Sequence, residues 1–127
     1  MRRACHALLL ACAVALSCQA QGATESEREI EYLLQYLANS GCTFIRNGDK
    51  HDSAEAADHM RLKYSRGKRY VDSAEQFIER LATESSWSGD PYTVTCDGTT
   101  QTSAQWLHRA LVEYRRMAAA QAAPNDL

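Results

Sequence analysis

Two glycine turns, Asn47-Gly48 and Asp97-Gly98, constrain this chain more than any other feature. Two-residue hairpins select Asn-Gly and Asp-Gly because both turn positions need positive φ. The strands follow from what precedes each turn: Thr43 to Arg46 before the first, residues 92–96 before the second. Five residues after each turn glycine stands a serine placed to open a helix, Ser53 and Ser103. The units align at an offset of fifty residues, with Gly48 on Gly98, Ser53 on Ser103, Ala54 on Ala104 and Tyr64 on Tyr114. Each unit also follows an amphipathic helix. The pattern predicts a duplicated helix–hairpin–helix unit, with chance recurrence of common turns and caps as the alternative.

The helical stretches show their faces. Ser26 with Glu29 reads as a capping box, and Ile30, Leu33, Leu34 and Leu37 then form one apolar stripe. That helix stops near Ser40-Gly41. Ala57, Met60 and Tyr64 mark the second helix, which Gly67 interrupts. Asp72 with Glu75, or Ser73 with Gln76, caps a third helix carrying Ala74, Phe77, Ile78 and Leu81. Residues 85–91, Ser-Ser-Trp-Ser-Gly-Asp-Pro, form a loop. Leu107, Ala110, Leu111 and Tyr114 stripe the fourth helix. The predicted fold class is α+β: four helices and two short β-hairpins in one small sheet.

The first residues read differently. Arg2 and Arg3 precede an apolar run over residues 7–16, then small residues. This is the layout of a secretory signal peptide, and the run is far short of the roughly 20 apolar residues that span a bilayer. Residues 1–22 are expected to be the leader, cleaved after Ala20 or Gly22. Residues 23–117 form one domain, and residues 118–127 a frayed tail. Cleavage removes Cys5, Cys12 and Cys18, leaving Cys42 and Cys96, most simply a disulfide in an exported chain. Two buried free thiols are the alternative. Of 14 basic residues, losing Arg2 and Arg3 leaves 12 against 16 acidic, a formal charge of −4. That balance argues against nucleic acid as a partner.

The residues from Gly41 to Tyr64 carry a resemblance. Ile45-Arg46-Asn47-Gly48, Glu55-Ala56 with His59, Arg61-Leu62-Lys63, Ser73-Ala74-Glu75-Gln76-Phe77-Ile78 and the Ser85-Ser86, Ser88-Gly89, Pro91-Tyr92 loop resemble the YfeK-like family. These are small exported Gram-negative bacterial proteins built on a domain of unknown function. The resemblance implies a periplasmic envelope protein and supplies no substrate, cofactor or catalytic residue.

Several groups could carry chemistry. Glu55 lies four residues before His59, so both project from one helical face. The pair could share a proton, or hold a metal with His51 and Asp52, although the spacing matches no zinc pattern. The simpler reading is a histidine at the rim of the core. No Gly-x-Ser-x-Gly elbow, phosphate-cradling loop or Cys-x-x-Cys is present. Arg61, Lys63, Arg66, Lys68 and Arg69 could meet an anionic partner, but a solvated helix end is the simpler reading. Arg46 alternates with Phe44 and so needs a carboxylate at the core's edge, Glu75 or Glu79, or else receives one from a ligand. Trp87 is a binding anchor if exposed and ordinary if folded back; Trp106 is core. The candidate binding residues are Arg46, Glu55, His59, Arg61, Lys63 and Trp87, with no catalytic or metal residue and no cofactor assigned. The preferred function is a non-enzymatic binding module for a protein or an anionic envelope component. The rival is a small periplasmic enzyme, hydrolase-like or metal-dependent, centred on His59 and Glu55.

Overall fold

A computed structural model describes residues 22–123. Apart from Gly22, the expected leader and its cleavage sites lie outside the described residues. Among these residues four helices pack on one face of a four-stranded sheet, so the α+β class and the Cys42–Cys96 disulfide hold.

Helix α1, Glu25–Asn39, begins two residues ahead of the expected Ser26 box. Thr24 Oγ1 accepts from the Glu27 N–H, and the Glu27 carboxylate accepts from the Thr24 N–H at 2.9 Å. Ser26 Oγ instead donates to the Asp72 carbonyl at 3.0 Å. Glu29 turns inward because it stands four residues before Leu33, on the buried stripe. Helix α2, Ser53–Gly67, is capped by Asp52, which accepts from the Glu55 N–H at 2.8 Å. Helix α3, Ala74–Leu81, takes the Ser73 cap. Helix α4, Ser103–Ala122, is capped by Thr102. α2 and α4 thus begin at the expected serines, each capped by the residue before. The alanines after Met117 continue α4 to Ala122, where a frayed tail was expected, because alanine is the strongest helix former.

The strands are β1, Thr43–Arg46; β2, Asp49–His51; β3, Thr93–Cys96; and β4, Thr99–Thr102, in the antiparallel order β2-β1-β3-β4. Both hairpin turns take the left-handed conformation that their residues favour, with φ of 53° at Asn47 and 49° at Asp97. At the centre of the sheet Phe44 faces Val94, so residues fifty apart in sequence meet across the β1–β3 pair. Both are buried, and they turn one sheet face toward the helices. α1 sits centrally, against α2, α3 and α4. Its Ile30, Leu33, Leu34 and Leu37 join Phe77, Ile78, Leu107 and Leu111 in the core. The far face is threonine-rich and open, as a one-sided antiparallel sheet allows.

Two long-range links close the domain. Cys42, just ahead of β1, is bonded to Cys96 at the end of β3, with Cα atoms 4.8 Å apart. Glu29, only 4% exposed, receives Arg115 through two nitrogens, at 2.5 and 3.0 Å. Arg115 also reaches Glu75, which joins α1, α3 and α4. Of the two carboxylates offered to Arg46 by sequence, Glu75 is taken by Arg115, and among the described residues Glu79 forms no ion pair with Arg46. Trp106 is core, lying against Phe44 and Tyr36 with ring centroids 5.5 and 4.7 Å away.

Candidate functional site

The candidate residues divide. Arg61 forms a two-pronged pair with Glu31, at 3.0 and 2.9 Å, and Lys68 pairs with Glu27 at 2.8 Å. Arg69 lies over the Tyr70 ring. These three cations follow the structural reading: they staple the end of α2 or lie on its surface. Arg46, Glu55, His59 and Lys63 instead converge where β1, α2 and the loop after α3 meet.

Glu55 and His59 share a helical face but do not pair. Glu55 sits 3.4 Å from His51 Nδ1. His59 Nε2 lies 3.4 Å from the Tyr92 hydroxyl, which also accepts from Lys63 Nζ at 3.1 Å. Lys63 donates to the Glu84 carbonyl as well, at 3.2 Å. The reason is reach. Glu55 is near the start of α2, beside the hairpin end that carries His51, whereas His59 is one turn deeper and meets the buried Tyr92. Burial, reinforced by the positive charges of Arg46 and Lys63, lowers the His59 pKa to about 4. His59 is therefore neutral at pH 7. Burial and Arg46 also lower the Lys63 pKa, against a smaller opposing pull from Glu84. Burial raises that of Tyr92, which stays a phenol.

Arg46 is half-buried, and among the described residues no ion pair involves it. It borders two spaces. One is a pocket between β1 and α2, of about 40 Å³, with apolar walls that include Phe44, Ala56, Met60 and Leu107. His51, Glu55, His59, Tyr92 and Ser103 supply its polar atoms. His51 Nε2 and the Ser103 hydroxyl are buried without a hydrogen-bond partner. They are not a nucleophile and its base. His51 lies on β2 and Ser103 follows β4, so their backbones are three strand spacings apart, about 14 Å.

The other space is an open groove lined by Arg46, His59, Lys63, Arg66, Trp87 and Tyr92, among others. Trp87 is 89% exposed. Its loop is nevertheless built. Buried Ser85 accepts through Oγ from the N–H groups of Trp87 and Ser88, both at 3.3 Å, and Ser88 Oγ donates to Asn47 Oδ1. The ordinary reading, an indole folded over the core, does not hold.

Sequence reasoning missed Tyr92 and Ser103 as site residues. Tyr92 looked like a strand residue and Ser103 like a cap. Among the described residues no group of three metal-ligating side chains gathers, and no helix is long and apolar enough to cross a membrane.

Fold and site define a small disulfide-linked α+β domain with a tryptophan-edged cationic groove. Residues 24–115 match the family of unknown function DUF5329, and the chain belongs to that family. It is similar to the uncharacterized protein YfeK of Salmonella typhimurium strain LT2, 45% identical over 67 residues. The match covers 52% of this chain and 56% of that protein, so the chain spans little more than half the length of this curated relative. No solved structure matches.

Proposed function

We propose that this is an exported envelope protein, a non-enzymatic module that binds a protein or other macromolecular partner on its Trp87 face. The observation that carries the reading is Trp87 itself. An ordered loop holds an almost fully exposed indole at the rim of a groove lined by Arg46, Lys63 and Arg66. An exposed aromatic beside cations is the composition of interface anchors. Export draws its support from the Cys42–Cys96 disulfide, which an oxidising compartment favours, and from the leader read in residues 1–22. The two hairpin–helix halves are taken as copies of one unit, supported by the Phe44–Val94 register and the matched turns.

The enzyme reading centred on His59 and Glu55 gains a shared pocket but loses its pair, since Glu55 faces His51 and Tyr92 occupies His59.

The test is cross-linked capture from an envelope extract by wild type, Trp87→Ala and Arg66→Glu, alongside fractionation and thiol counting. The reading expects processed, oxidised protein in the periplasm and a partner lost in both variants at unchanged melting temperature. Capture indifferent to both substitutions, or a reduced cytoplasmic protein, overturns it.

A further inference from the structure

The pocket beside the groove asks for an occupant. Its walls are apolar, yet two buried polar atoms, His51 Nε2 and Ser103 Oγ, face no partner among the described residues. A buried polar group left unsatisfied costs about 1–3 kcal/mol, so such atoms ordinarily mark water or ligand. At the pocket's border stands Arg46, a half-buried guanidinium without an ion pair, five donors in a planar fork. Lys63 is close enough that Arg46 adds to burial in lowering its pKa, and His59 adds no charge. Glu55, the one carboxylate at this border, is 62% exposed and turned to His51. That contact is made through Nδ1 and leaves Nε2 unpartnered.

We propose that this pocket binds a carboxylate carried on a small branched apolar body: the carboxylate on Arg46, the body along Ala56, Met60 and Leu107. Charge complementarity selects the anion, because the unpaired cation there is arginine, which takes carboxylates through two parallel bonds. Wall chemistry selects the body. The same chemistry comes from two sources, a free short-chain carboxylic acid or the C-terminus of a polypeptide ending in an aliphatic residue. In the second case the peptide leaves the pocket through the groove past Trp87. The inference rests on the reading of this face as a binding surface and adds what it binds.

The experiment is an amide chemical-shift titration of the mature, oxidised chain with four probes. They are 4-methylpentanoate, its primary amide, the tripeptide Gly-Gly-Leu and that tripeptide as its C-terminal amide. The proposal expects saturable shifts at Ala56, Met60 and Ser103 with at least one carboxylate probe. The matching amide should bind at least about tenfold more weakly, as loss of a charged hydrogen-bonded pair implies. Arg46→Gln should weaken binding similarly, Arg46→Lys less, and Ala56→Leu should abolish it by filling the space. Saturation by the free acid or by the tripeptide assigns the source, and either supports the proposal. No saturable shift with either carboxylate, or equal binding of acid and amide, overturns it. Trp87-dependent capture alongside silent probes removes the pocket's ligand alone and leaves the macromolecular reading standing.

Discussion

Ala56 and Trp106 hold matching places in the two hairpin–helix halves, fifty residues apart, and one leaves open what the other fills. In the second half the indole of Trp106 is 6% exposed and wedged between Phe44 and Tyr36. In the first half the matching position is a methyl group, Ala56, and the space beside it stays open between Phe44, Met60 and Leu107. The polar residues differ in the same sense. His51, Glu55 and His59 stand where the second half has Gln101, Gln105 and Arg109. Arg46 matches Cys96, so the position that presents an unpaired cation in one half closes the disulfide in the other. The lesson is a division of labour on one frame. In the second half the matched positions are filled or disulfide-bonded, and in the first they border an open pocket.

Removing the tie between the halves should have the largest effect. The double variant Cys42→Ser, Cys96→Ser releases a loop with a sequence separation of 54 residues. Chain entropy puts the loss at about 4 kcal/mol, read as a lower denaturation midpoint. A loss below about 1 kcal/mol would show that the halves hold without sulfur.

Next comes the filled position. Trp106→Ala should cost about 3 kcal/mol, since it deletes a buried indole from a packed core. Ala56→Leu, at the matching open position, should stay within about 1.5 kcal/mol of wild type. Equal and large losses at both positions would erase the distinction drawn here.

The smallest effect is a pH dependence confined to the open half. Folded His59 titrates at about 4, below its ordinary 6.5, because it is half-buried beside Arg46 and Lys63. The unfolded chain therefore takes up a proton first as pH falls. Its contribution is complete above about 6.5, is lost progressively down to about 4, and is constant below. Stability of wild type relative to His59→Gln should decline across that window by equilibrium unfolding. Glu27, Glu31 and Glu75, held low by cationic hydrogen-bond partners, act below about 4.5 and do not mask it. A flat difference across the window would remove the buried, neutral histidine.

Much of the frame was legible in the sequence. Turns and helix stripes depend on neighbours within a few positions, and Asn47-Gly48, Asp97-Gly98 and the Ile30 to Leu37 stripe declared themselves. The α1 cap was misplaced by two residues because Thr24 with Glu27 and Ser26 with Glu29 satisfy the same spacing. Partners were not legible, since they depend on which elements approach. Glu29 and Arg115 are 86 residues apart. A signal for them did exist: Glu29 falls four residues before Leu33 and Arg115 four after Leu111, so each interrupts an apolar stripe with a charge. His59 and Glu55 misled for the converse reason. A shared helical face sets proximity along α2, but the hairpin end and Tyr92 determined which contacts formed. The pocket was not legible, because Phe44, Ala56, Tyr92 and Leu107 meet only once sheet and helices pack.

The most direct test is a crystal structure of the mature protein at a resolution that shows ordered water. The account predicts density for water or a bound small molecule in the space beside Ala56, within hydrogen-bond reach of His51 Nε2 and Ser103 Oγ, and none between Trp106 and Phe44. A closed space beside Ala56, with both polar atoms bonded to protein groups, would contradict it.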